Sequence, residues 1–380
     1  MVIKQIIKYI EDWAPKDVAW AKDNPGIQVG SSSGEVENIF LTLELSEKAL
    51  KEAIKKKSNF IFTHHPLIFQ PLKRIDTTND KTSRLIEELI KNNITLYSAH
   101  TNLDFTKDGV SFQLAKTLRL KNIKFLEYQE SNQFKLVVFV PENYLKVVSE
   151  AIFNSGGGII GEYQHCSFRS PGEGTFKGSE ITNPAVGLPG IFEETKEIKL
   201  EILIDKWKLN KAVDAMLKVH PYEQPAFDIY PLANKNPNFG FGAIGQLENE
   251  MSVEEFLQYV TSSLQIQNLR YTRGTKNKIN TVALCGGSGS DLISSAIAKQ
   301  ADAFITADIK YHTFQDAEEK ILLIDAGHFE TEAPALLEVK RRIEEFLSSN
   351  RSNSKVYIYS GSTNPVHFYK NKIGEDKIDK

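Results

Sequence analysis

The stretch IFLTLELSEKALKEAIKKKSNFIFTHHPLIF (Ile39–Phe69) reads as strand, helix and strand, and its second strand ends on chemistry. IFLTLEL is a buried strand, Ser46 caps a helix to about Lys57, and NFIFT is the next strand. The pattern continues outward: a helix over roughly Lys81 to Asn92, a strand at ITLYSA, and a helix opened by Asp108. Strands separated by helices of this length predict an α/β sheet, whose functional groups gather at the carboxyl ends of the strands.

Beyond NKNPNFGFG the same pattern resumes. Helices are expected over Ser252–Leu264, from near Asp291, from Asp308, and over about Glu332–Leu347. They alternate with strands at NTVALC, AFIT, ILLID and VYIYS. The middle of the chain differs. FKLVVFV is followed by a helix from Pro141 to about Asn154, and LEILID by a helix over Lys206–Val219 and then HPYEQPAFDIYPL. That order, β-α-β-β-α-β, is ferredoxin-like, with Ser167–Glu197 forming a long loop or extra strands. The expected organisation is an α/β core from residues 1–130 and 237–372, an inserted domain over 131–236, and a charged tail over 373–380. Neither core half is large enough to cover both faces of a parallel sheet, so the halves must pack together.

At 380 residues the chain exceeds one ordinary core, in keeping with two domains. A net charge of −3 gives no footprint for a nucleic-acid backbone, so the expected partner is a small molecule. Only Cys166 and Cys285 occur, far apart, which argues against a disulfide framework and for a reducing compartment. In MVIKQIIKYIEDWAP the isoleucines fall at helical spacing with charges between them, so the segment reads as an amphipathic helix rather than a leader. With no stretch approaching a membrane span, the expected location is the cytoplasm.

Three strand ends carry metal-binding side chains: His64 and His65 in THHP, His100 and Asp104 in SAHTNLD, and His328 and Glu332 in DAGHFETE. Imidazole with carboxylate suits a divalent zinc, iron or manganese ion. A four-residue interval puts two side chains on one face once the backbone turns helically. The adjacent pair is different. Pro66 holds His65 extended, and successive extended side chains diverge, so two ions about 3.5–4 Å apart fit the doublet better than one. Glu332 or Asp104 can then bridge or complete the shells.

THHPLIF, HTNLD, TADIKYH and DAGHFETE, in this order and with a domain between the second and third, resemble the Nif-three-like family, whose bacterial members are called GTP cyclohydrolase 1 type 2 homologues. DNPGIQVG (Asp23–Gly30) resembles its N-terminal signature, with Ile27 where leucine is more usual. SPGEGTFKG and HPYEQPAFD resemble pieces of the inserted domain in longer members. The resemblance implies a Nif-three-like α/β core holding two divalent metal ions per chain and a ferredoxin-like, CutA-like insert. It assigns His64, His65, Asp104, His328 and Glu332 as ligands and sets His100 beside the metals. It also implies a homo-oligomer, commonly a hexameric ring.

The function that follows is a dinuclear metal hydrolase acting on a nucleotide-like substrate, with ring opening of GTP as its specific form. A metal-dependent phosphohydrolase and a non-catalytic metal-binding sensor or adaptor are the alternatives. His100 and His312 are the candidates for proton transfer. Gly286, Gly287 and Ser288 of GGSGSD, between strand and helix, are candidates for holding a phosphate with their free amides, together with Lys310. Cys285 reads as a small buried hydrophobe, and His220 with Glu223 as a turn or subunit contact.

Overall fold

The computed structural model describes residues 1–369, so the charged tail at 373–380 lies outside the described residues. The chain divides into two compact units, one made from residues 1–128 together with the chain from Pro237 onward, the other from Gln129–Asn236.

In the first unit, a five-stranded sheet is ordered Gly26–Val29, Thr95–Ser98, Phe60–Thr63, Ile39–Thr42, Val356–Ile358. All its neighbours run parallel except Gly26–Val29 against Thr95–Ser98. The three inner strands are buried along their whole length, which explains their unbroken apolar runs. Register fixes the site: Thr42 lies opposite Thr63, and Thr63 opposite Ser98, so the chain leaves all three strands at one edge. The Thr63 and Ser98 hydroxyls hydrogen-bond there at 2.6 Å.

A six-stranded sheet is ordered Arg270–Tyr271, Leu322–Asp325, Ala303–Ala307, Lys278–Ser288, Gly240–Ser252, Lys121–Tyr128. Its parallel strands Lys278–Ser288, Ala303–Ala307 and Leu322–Asp325 again end together, with Ser288 opposite Ala307 and Thr306 opposite Asp325.

The core halves interlock as two half-sheets of this size require. Val356–Ile358 from the second half edges the first sheet, and Lys121–Tyr128 from the first half pairs with Gly240–Ser252. The N-terminal helix Ile3–Trp13 buries Ile3, Ile6, Ile7 and Ile10 in one cluster with Val339 and Ile343 of the helix Ala335–Ser349. Burying each such side chain contributes about 1.5–3 kcal/mol. Among the described residues no helix is long and apolar enough to cross a membrane.

The second unit has the expected β-α-β-β-α-β order: Gln133–Pro141, Leu145–Asn154, Phe168–Lys177, Phe192–Asp205, Lys206–Val219, Phe227–Pro231. Its sheet order, Phe168–Lys177, Phe192–Asp205, Gln133–Pro141, Phe227–Pro231, is antiparallel throughout and ferredoxin-like. Leu136, Val138, Leu200 and Ile202 pack one face against Val148, Ile152, Ala212 and Met216 of the helices. The glycine-rich segment is a long strand paired from Phe168 to Lys177, followed by a loop to Ile191.

Candidate metal centre

The strand Phe60–Thr63 ends one residue before the histidine doublet. The amides of His64 and His65 both donate to Leu43 O, at 3.0 and 2.9 Å, so the chain turns there instead of running on extended. The divergence expected from Pro66 is thereby lost: the two rings sit 4.9 Å apart, in one cluster.

His100 leaves the neighbouring strand and begins a single helical turn, Thr101–Asp104, in which the Asp104 amide donates to His100 O at 3.2 Å. Gly327, at φ +88°, turns the chain out of Leu322–Asp325 into the short helix His328–Glu332. One turn there brings His328 Nε2 to 3.0 Å from Glu332 Oε1. The His328–Glu332 interval acts as the spacing predicted.

These residues meet in two overlapping groups whose donor atoms lie within 4.8 Å of one another: His64, His65 and His100, and then His65, His328 and Glu332. Asp104 joins through His64, its Oδ1 3.4 Å from Nε2. Glu332 reaches both ways, with Oε1 3.7 Å from His64 Nε2 and Oε2 3.1 Å from His65 Nε2. His65 Nε2 and His328 Nε2 are 3.3 Å apart.

Each imidazole is oriented from behind by an oxygen. His64 Nδ1 donates to Ala99 O at 2.8 Å, His65 Nδ1 to Glu44 at 2.9 Å, His100 Nδ1 to Asp23 at 2.8 Å and His328 Nδ1 to Asp308 at 2.6 Å. That orients each ring with its Nε2 toward the others, the arrangement that metal-ligating histidines require.

His64 Nε2, Asp104 Oδ1 and Glu332 Oε2 are buried without a hydrogen-bond partner among the described residues. Leaving one buried polar group unpaired costs about 1–3 kcal/mol, and more for a charged one. Converging orphans of this kind, all of them metal-ligand atoms, fit a bound cation.

The electrostatics of the cation-free cluster agree. Burial pushes the Asp104 carboxyl up to about 7, helped by the Glu332 charge and opposed by His64. Burial opposes ionisation of Glu332 too, but the surrounding imidazoles outweigh it and hold that carboxyl well below its usual range. Burial would lower the His65 imidazole, yet the neighbouring Glu332 carboxylate and the hydrogen bond to Glu44 raise it to about 10. The hydrogen bond to Glu332 raises His328 to about 9.

Gly287, at φ +62°, lets the backbone pass beside the cluster, since a Cβ there would sit 2.2 Å from Glu332 Oε1 and 3.3 Å from His328 Nε2. Gly287→Ala is expected to destabilise the chain by about 1–3 kcal/mol through the left-handed backbone alone. It should also displace Glu332. Denaturant unfolding with and without added divalent metal measures both effects.

Other expected positions fall elsewhere. Gly286 and Gly287 of GGSGSD lie within strand Lys278–Ser288, and their amides are already engaged. The Gly286 amide donates to Ser111 Oγ at 3.3 Å and the Gly287 amide to Thr331 Oγ1 at 2.9 Å. Ser288 is exposed beside them, and Lys310 is exposed at the start of helix Tyr311–Ala317. His312 is exposed on that helix with Nδ1 3.1 Å from Gln315 Oε1, and it is not one of the residues in the two donor groups. Asp308 caps no helix: at φ +56° its carboxylate turns to His328 instead. Burial pushes the Cys285 thiol up to about 12, in keeping with an inert packing role. His220 closes a turn, accepting the Tyr222 amide at Nδ1 and donating from Nε2 to Phe139 O.

Glu44, Asp23 and Asp308 are the functional positions that sequence reading missed. Each lies in a quoted motif, but its role depends on a carboxylate meeting a histidine far along the chain. Glu44→Gln keeps the shape and removes the charge behind His65, so divalent-metal affinity should fall about 10–100-fold, measured by competition with a chelating dye.

The sequence model of Duf34/NIF3 (NGG1p interacting factor 3) matches residues 1–365. A Halalkalibacterium halodurans protein named GTP cyclohydrolase 1 type 2 homolog is 38% identical over 365 residues, covering 96% of this chain and 98% of that one. A Bacillus subtilis protein of the same name is 35% identical over 369 residues, again covering 96% and 98%. The crystal structure of a Bacillus cereus protein related to NIF3 superposes with a TM-score of 0.84 at 35% identity, covering 97% of this chain and 99% of its own. A match over nearly the whole length, in sequence and in fold, makes this chain a member of the DUF34/NIF3 family.

Proposed function

We propose that the chain is a dinuclear divalent-metal hydrolase acting on a nucleotide-like small molecule, the specific reaction suggested by its relatives' names being ring opening of GTP. The observation that carries this reading is the pair of overlapping donor groups sharing His65, with Glu332 reaching both. His64, His65, Asp104, His328 and Glu332 would hold two ions, the donor set being suited to zinc, iron or manganese. Such ions, when bound, supply Lewis acidity and a nucleophile at neutral pH.

The chain's own residues supply the rest. Asp23, kept ionised well below the usual carboxylate range despite its burial by hydrogen bonds from His100 and Thr101, fixes the His100 imidazole. His100 Nε2 can therefore take up or deliver a proton beside the cluster. Its ring lies 5.3 Å from that of His64 and 5.4 Å from that of His65, and Phe69 covers it edge-on at 6.1 Å. A homo-oligomer, with the hexameric ring as its form, belongs to the same reading and is tested by sedimentation.

Metal uptake should also release protons. Imidazoles raised to about 10 and about 9 are charged at pH 7.5 in the cation-free chain and must be neutral to ligate. About two protons per chain should therefore leave on loading, and apparent affinity should rise with pH through neutrality. The sign for folding is the reverse. Both pKa values lie above that of a free imidazole, so the pairing stabilises the cation-free fold fully below about pH 6.5. That stabilisation is lost as pH climbs through 9 and 10. Calorimetry in buffers of different ionisation enthalpy counts the protons.

The activity is tested by incubating the metal-loaded chain with nucleotides and weighing the products. Hydrated or ring-opened GTP supports the reading, released phosphate moves it to phosphohydrolase, and binding without turnover makes the chain a sensor.

A further inference from the structure

The inserted unit contains a cavity of about 1000 Å³, at the upper end of the size typical of small-molecule sites. Both motifs that the metal centre leaves unused line it: SPGEGTFKG, and HPYEQPAFD through Tyr222, Glu223, Gln224 and Ala226.

Its floor is the sheet face opposite the helices. Cross-strand rows place Ser170, Lys199 and Phe139 side by side, and Gly172 beside Glu197. Gly172 leaves open space there, with no atom within 4 Å of where a Cβ would stand. At Gly174 a Cβ would lie 2.3 Å from Glu197 Oε2, so a glycine is what admits the Glu197 carboxylate. The loop after the strand forms one wall: the Gly190 amide donates to Gly178 O at 3.1 Å, closing its neck, and the Asn183 amide donates to Glu223 at 2.9 Å. The Tyr222 hydroxyl is buried beside Glu197 without meeting it in hydrogen-bond geometry, and burial with the Glu197 charge pushes it up to about 12.

The charges select the ligand. Lys199 is engaged by Glu201 at 2.8 Å. Lys177 also lines the cavity, but it is exposed and alternates with Gly174 and Phe176 along the strand, and Glu173 lines the cavity with it. Glu223 is occupied by the Asn183 amide. Glu197 has no cation within 4 Å among the described residues. Phe139, Phe176 and Tyr222 bring aromatic surface to the same cavity, the last two with ring centroids 6.2 Å apart. An unpaired carboxylate beside aromatic rings is complementary to a cation on a flat apolar body.

We propose that this cavity binds a small organic cation, an amine carried on an aromatic or apolar ring, with Glu197 taking the ammonium group and Tyr222 beside it. The site is independent of the metal centre and of the reaction proposed there.

The test is calorimetric titration of the full chain with tryptamine, and with indole-3-acetate as the ring bearing the opposite charge. Tryptamine should bind once per chain and more tightly than indole-3-acetate. Glu197→Gln should weaken it by about tenfold or more, with metal content unchanged. Gly172→Val, which fills open space on the cavity side of a strand, should abolish binding with the thermal transition preserved, and it carries the test if the Glu197 variant does not fold. No saturable binding of tryptamine, equal affinity in the folded variants, or tighter binding of indole-3-acetate would overturn the proposal.

Discussion

Glu332→Ala will leave the chain without bound divalent metal. Among the described residues Glu332 is the one carboxylate that approaches His64, His65 and His328 together, at 3.7, 3.1 and 3.0 Å. A residue behind a metal ligand typically contributes about 10–100-fold in affinity, so loss of a carboxylate central to both donor groups should exceed that range. The change removes more than one ligand. Without Glu332 the His65 and His328 imidazoles lose the carboxylate that raises each of them. They then repel a cation less by their own protonation, yet nothing bridges them. Elemental analysis after reconstitution and desalting reads the outcome directly, and Asp104→Ala should lose metal with it, because Asp104 Oδ1 is another buried orphan. Full loading with full turnover in either variant would remove the assignment.

His100→Gln should do the opposite, keeping metal while losing turnover by about 10²–10⁴-fold, the range for a proton carrier. The imidazole is held by Asp23, itself fixed by the Thr101 amide at 3.0 Å, so the ring presents Nε2 in one orientation. Glutamine fills similar space but cannot carry a proton between groups. The pH profile separates the roles: a proton carrier's loss abolishes the limb it controls, whereas a displaced ligand lowers metal content at every pH. Loss of metal in this variant would place His100 on the ions instead of beside them, which the 4.8 Å grouping with His64 and His65 also permits.

Much of this was legible before any coordinates because the information is local. Continuous apolar runs at IFLT, FIFT and TLYS mark strands buried on both faces, and the His100–Asp104 and His328–Glu332 intervals mark single helical turns. The ferredoxin-like order could be read from two strand-helix units. Three things were hidden. That both doublet histidines enter one cluster depends on a shared acceptor, Leu43 O, contributed by another strand. That the Gly286 and Gly287 amides are already engaged depends on hydroxyls of Ser111 and Thr331, distant in sequence. Asp308 reads as the start of a helix because helix-start residues and residues of left-handed backbone are drawn from the same short polar set. In each case a tertiary contact decided between two local readings.

The most direct measurement of the central claim is anomalous diffraction from crystals of the metal-reconstituted chain. Two peaks about 3.5–4 Å apart are predicted, flanked by His64, His65, Asp104, His328 and Glu332. A single peak would contradict the dinuclear reading, and no peak among these residues would contradict the metal centre itself.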